Sequence, residues 1–218
     1  MERSNRGRRL LPVLALVVMI ASLSGCASFI SAVAWIVKGH NVKPEYAGLK
    51  GKKVAVVCRP LAQLEYSAGN ASTELARVVG MLIGKRVSRV KIIESDRVAE
   101  WTDEHNWEEF TEIGEALGAD MVLGIDMREF GLYQGMTLYQ GHAKVAVAVY
   151  DMRDGGKIVY EKSLPRSVYP PNTGIPTSER TDDEFRRQYI GILADEIGRH
   201  FYEHDAMANF AQDTDALR

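Results

Sequence analysis

The sharpest chemical signal in the chain is His200-Phe201-Tyr202-Glu203-His204. On a helix, the imidazoles of His200 and His204 stand one turn apart and could share a zinc ion. Glu203 would then be placed to act as a base. A catalytic zinc needs a third protein ligand. Only 14 residues follow His204, and Asp205, Asp213 and Asp215 lie among them in a polar tail. His105 and His142 lie upstream, with nothing in the sequence to bring them close. The competing reading is a solvated helix end, where imidazole suits the negative end of the dipole. The sequence therefore predicts no metal, no cofactor and no catalytic residue. A zinc-dependent hydrolase is the alternative.

Other reactive side chains are less organised. Cys58 ends the apolar run Val54-Ala55-Val56-Val57, and no base stands beside it in sequence, so it reads as a buried thiol rather than a nucleophile. Asp126 and Glu129 are three apart on an expected strand, a spacing that points them to opposite faces and argues against an acid–base pair. No phosphate loop and no nucleophile elbow occurs. Tyr133, Tyr139 and Tyr169 fall with Pro170 and Pro171 in two expected loops. Tyrosine and proline in exposed loops make binding surfaces, and the bland alternative is that these rings cover a sheet edge.

The amino terminus carries chemistry of another kind. Arg3, Arg6, Arg8 and Arg9 precede an apolar run from Leu10 to Ile20, and Leu23-Ser24-Gly25-Cys26 follows. Basic, apolar and small-residue segments in that order form an export signal. The apolar run, at 11 residues, is short of the roughly 20 that cross a bilayer. The four residues ending in Cys26 resemble the bacterial lipobox. That resemblance implies cleavage before Cys26 and acylation of its sulfur and new amino group, and two or more chains anchor a protein stably. Ala27, rather than Asp, after the cysteine favours the outer membrane, facing the periplasm.

The leader holds four of the 27 Lys and Arg residues and one of the 29 Asp and Glu residues. The exported part is therefore more acidic than the net −2 of the whole chain. A nucleic-acid surface needs excess cationic side chains, so nucleic acid is not an expected partner. If Cys26 is acylated, Cys58 is alone and no internal disulfide can form.

These residues must be positioned by a domain. The expected organisation is a signal peptide over 1–25, an anchor and linker over 26–52, a mixed α/β domain over 53–204 and a polar tail over 205–218. Apolar Phe29 to Val37, with Trp35, suits a lipid interface. Lys53 to Cys58 reads as a buried strand. Leu75, Val78, Val79, Leu82 and Ile83 stripe a helix over Thr73 to Arg86. Val90 to Glu94 is a second strand and Ser95 to Glu100 a short helix. Asn106 and Glu109 predict a capping box for a helix with Trp107, Phe110, Ile113 and Leu117 inside, stopped at Gly118. Met121 to Phe130 is a third strand, Gly131 to Gly141 a loop, and His142 to Asp151 a half-buried strand. Asp154-Gly155-Gly156 turns it into Lys157 to Leu164. Four prolines between Pro165 and Ser178 predict irregular chain. Thr181 and Glu184 cap a last helix striped by Ile190, Leu193, Ile197 and Phe201. The order β-α-β-α-β-β-β-α predicts an α/β fold, a mixed sheet of about five strands in two or three layers, whose first three strands run parallel.

Lys53 to Val57, Val90 to Glu94 and Ile113-Gly-Glu-Ala-Leu-Gly-Ala-Asp-Met-Val-Leu-Gly124 are similar to the CsgG-like envelope lipoproteins, as is the hairpin turning through Asp154-Gly155-Gly156. This group takes in the curli secretion channel subunit, the LpoB-like activators of penicillin-binding proteins and the TolB amino-terminal-like domains. The resemblance spans residues 50 to 202. It implies a non-catalytic binding or scaffolding domain for another envelope protein or for self-assembly, or a subunit of an oligomeric secretion assembly. It carries over no catalytic site. The Gly131 to Gly141 connection is too short for a membrane-spanning hairpin, whose strands need about 9–11 residues each.

Overall fold

The computed structural model describes residues 41–61 and 70–206. The chain divides into two units, Met1–Asn41 and Val42–Arg218, and the architecture below is that of the second. Cys26, the Phe29 to Val37 segment, Asp213 and Asp215 lie outside the described residues. No helix of the described residues is long and apolar enough to cross a membrane.

The elements are β1 (Asn41–Val42), β2 (Lys53–Pro60), α1 (Ala71–Arg86), β3 (Lys91–Ile92), α2 (Ser95–Glu104), α3 (Phe110–Leu117), β4 (Met121–Gln134), β5 (Leu138–Asp151), β6 (Lys157–Ser163), β7 (Ser167–Tyr169), β8 (Ile175–Pro176), α4 (Asp182–Gly198) and β9 (His204–Asp205). The main sheet runs β3-β2-β4-β5-β6, with β7 and β8 also paired to β5, while β1 and β9 form a separate two-stranded sheet. β2 is parallel to both β3 and β4, and β4, β5 and β6 are antiparallel. That is the mixed sheet expected from helix-linked strands followed by a hairpin.

Helices cover both faces. Val54 and Val56 of β2 point into a core shared with Leu75, Val79 and Ile83 of α1 and with Ile190, Leu193 and Ile197 of α4. Ala55 and Val57, one residue out of phase, meet Val98 of α2 and Phe110, Ile113 and Leu117 of α3. A strand buried on both sides reads as an unbroken apolar run, which is why Val54 to Val57 shows no alternation. β5 alternates in part, with Val145, Val147 and Val149 buried and Lys144 exposed, although Ala146 is buried too.

Local chemistry sets the helix ends. The Glu184 amide donates to Thr181 Oγ1 at 3.3 Å and the Thr181 amide to Glu184 at 3.0 Å, the expected capping box. Gly118 stops α3 in the left-handed region at φ 60°. Asp120 follows and accepts from the Lys53 amide at 2.9 Å and from Arg153 at 2.7 Å. It joins the start of β2 to the β5–β6 turn, and the Lys53 amide, ahead of Arg153, holds its carboxyl below the usual range.

Four expectations need correction. First, α3 starts at Phe110 rather than Trp107. Arg59 donates to the Glu108 carbonyl at 2.5 Å and lies over the Trp107 and Phe110 rings, which holds 107–109 out of the helix, and Glu112 takes over the capping role. Second, Gly131 to Gly141 is not a loop. β4 and β5 continue to a turn at Gly135, φ +67°. Gly131 and Gly141 are small because a Cβ there would strike the His142 and Tyr189 rings, not because the chain turns. Third, the proline-rich stretch supplies β7 and β8, which continue the line of β6 along β5. Pro170 and Pro171 fall between them, where no ladder amide is needed. Fourth, residues 42–52 are not a free linker: Leu49 is fully buried and the Tyr46 amide bonds the His200 carbonyl at 2.9 Å.

Candidate functional site

The long β4–β5 hairpin separates the tyrosines. Tyr133 on β4 and Tyr139 on β5 are cross-strand neighbours with ring centroids 5.2 Å apart. Tyr139 turns inward, 4 % exposed, and stacks on Phe185 at 4.9 Å. Tyr169, 6 % exposed, has its ring 6.5 Å from that of Phe185 and accepts from Gln188. Pro170 is buried and Pro171 exposed. Tyr139, Tyr169 and Pro170 are thus buried in the sheet's cover, while Tyr133 and Pro171 face solvent. Tyr133 is 46 % exposed. Its hydroxyl donates to Asp182 at the start of α4, and that bond pushes the phenol up to about 12. The residue that the sequence reading missed is Met136, 93 % exposed at the turn. Its only signal was an apolar side chain one position after a turn glycine.

His200 and His204 do not share a helix. α4 ends at Gly198, and His204 lies in β9. His200 Nδ1 sits 3.2 Å from the Glu45 carboxylate. Burial pushes its imidazole down, against the opposing pull of Glu45. Glu203 is exposed. Among the described residues, no three His, Cys, Asp or Glu side chains are arranged to hold a metal ion. The premise of the zinc alternative, two imidazoles one helical turn apart, is therefore not met. Asp126 pairs with Arg59 at 2.9 Å and Glu129 with Arg166 at 2.5 Å, so each carboxylate has its own arginine. Burial raises the Cys58 thiol, which keeps it in the poorly nucleophilic protonated form.

His200 and His204 do share the rim of a cleft of about 510 Å³. The segment after β1 contributes Lys43 and Glu45, the β6–β7 connection contributes Arg166, Ser167 begins β7, and the end of α4 contributes Glu196 and Arg199. Arg199 is 9 % and Ser167 7 % exposed. Arg199 bonds Asp195 one turn back at 2.6 Å. Burial raises the Glu196 carboxyl, with the neighbouring Ser167 hydroxyl opposing. Sequence spacing could not find this group, because its members come from three parts of the chain.

No family model matches the chain, and no curated protein matches it. Solved structures do match parts of it. The PelC dodecamer from Paraburkholderia phytofirmans is 12 % identical, over 74 % of this chain and 95 % of its own, with a TM-score of 0.47. Lipoprotein GNA1162 from Neisseria meningitidis is 12 % identical, over 66 % and 96 %, with a TM-score of 0.41. The LpoB C-terminal domain from Salmonella enterica is 12 % identical, over 62 % and 90 %, with a TM-score of 0.34.

Proposed function

We propose that this chain is a lipid-anchored lipoprotein of the bacterial cell envelope. Cys26 carries the anchor, and the outer membrane, facing the periplasm, is its place. Its α/β domain is a non-catalytic, CsgG-like binding or scaffolding module for another envelope protein or a second copy of itself. The observation that carries the binding role is Met136, 93 % exposed at the end of a hairpin of two 14-residue strands, with Tyr133 beside it. An apolar side chain held that far into solvent on a rigid sheet suits insertion into a partner's pocket.

A photo-reactive residue at position 136 of the full chain, in intact cells, tests this. It should give an adduct of defined mass, while the same probe at exposed Glu115 on α3 should not. A mass equal to two copies identifies self-assembly, the form expected of a subunit in a secretion assembly, and any other mass a different envelope protein. Equal labelling from both positions, or none at 136, would remove the hairpin from the account.

A further inference from the structure

We propose that the cleft between the end of α4 and the β6–β7 connection binds a phosphate-type oxyanion, either free or as the phosphate of a lipid headgroup.

Ser167 lines the cleft at 7 % exposure, and its hydroxyl closes no hydrogen bond of standard geometry. Its contact with the Glu196 carboxyl falls short of that geometry, and a poorly satisfied buried hydroxyl is costly, so an oxyanion at this wall would complete it. Arg199 is nearly as buried. Its Nε and Nη2 go to Asp195, while Nη1 has no partner among the described residues. Arg166 repeats the pattern: Nε and Nη2 are taken by Glu129 and Nη1 is left. Two guanidinium groups, each held by a carboxylate on one edge, are fixed in place while keeping donors to spare.

The lining also supplies more donor than acceptor side chains. Lys43, Arg166 and Arg199 line the cleft with His200 and His204, against Glu45 and Glu196. Glu45 is already occupied by Lys162 at 2.5 Å and Tyr160 at 3.0 Å. Burial raises the Glu196 carboxyl, with Ser167, Arg199 and Asp195 as the groups that act on it. No Phe, Tyr or Trp among the described residues lines the cleft, so the broad stacking platform that sugars favour is missing there. A volume of about 510 Å³ exceeds one phosphate and leaves room for a group esterified to it. This site is independent of the hairpin, so its failure would leave the binding role of Met136 untouched.

The test is calorimetric titration of the full chain, in a phosphate-free detergent, with inorganic phosphate and with soluble dihexanoylphosphatidylglycerol. Saturable one-site binding of either probe is expected. Inorganic phosphate alone, or both, identifies a site for the free oxyanion, and the lipid alone a headgroup site. Ser167→Ala should weaken binding roughly tenfold, as loss of one charge-assisted hydrogen bond does. Lys43→Ala changes an exposed side chain that folding does not need, and should weaken it several-fold. Binding of neither probe to the wild-type chain would overturn the proposal. So would binding that Lys43→Ala and Ser167→Ala, both melting like the parent, leave unchanged.

Discussion

The Glu45 carboxylate meets the Lys162 ammonium at 2.5 Å across 117 residues of chain. Glu45 also takes the Tyr160 hydroxyl and faces His200. One acidic side chain thereby fastens the segment entering the domain to the outer strand β6 and to the turn after α4. Lys162 is the main reason its carboxyl titrates below the usual range. Both partners are more than a third exposed, so solvent screens the pair and its contribution to global stability is small.

Glu45→Ala should therefore loosen the segment without unfolding the domain. Amide exchange at Tyr46, whose N–H bonds the His200 carbonyl at 2.9 Å, should accelerate. Global stability should fall by no more than about 1 kcal/mol. Unchanged exchange at Tyr46 would mean that its ring contacts with Tyr160 and Phe201 hold the segment unaided.

Gly124 of β4 lies directly under Phe110 of α3, and a Cβ there would come 2.8 Å from that ring. Gly124→Val should cost about 1–3 kcal/mol by overpacking. Chemical denaturation measures this, and a variant as stable as the parent would show that α3 can slide.

Glu196 titrates above its ordinary value of 4.5 because it is buried. The unfolded chain ionises it more readily, so its effect on stability is harmless below the unfolded value and grows as pH rises through the folded one. Glu196→Gln removes that loss. The variant should melt above the parent at about pH 8, and the difference should close below about pH 4. A constant gap at both pH values would place the effect in packing instead.

The His204 side chain reaches the Tyr202 carbonyl, at 3.4 Å. His204→Ala should change stability by less than about 0.5 kcal/mol, and purified protein should hold well under one zinc per chain. Stoichiometric zinc retained on dialysis and lost in the variant would restore the hydrolase reading.

The fold was legible where periodicity and turn chemistry agree. Val54 to Val57, the α1 stripe, Gly118-Ala119-Asp120 and the Thr181–Glu184 box all stand where the sequence put them. What was missed depends on contacts distant in sequence. Gly131 and Gly141 look like loop residues, and only the His142 and Tyr189 rings above them explain their size. The start of α3 is set by Arg59, about fifty residues earlier. Tyr139 and Tyr169 read as loop residues until β7 and β8 pair with β5 and enclose them. The cleft was partly visible, through His200 and His204, but as the wrong chemistry. The pattern assumed one helix, and α4 stops at Gly198, before Phe201 and both imidazoles.

The central claim is the anchor. Metabolic labelling of the full chain with an alkyne fatty acid in a bacterial host tests it most directly. The wild-type protein should take up label and partition with membranes, and Cys26→Ser should lose the label and accumulate as uncleaved or released protein. Equal labelling of the wild type and the variant, or none of either, would contradict the account.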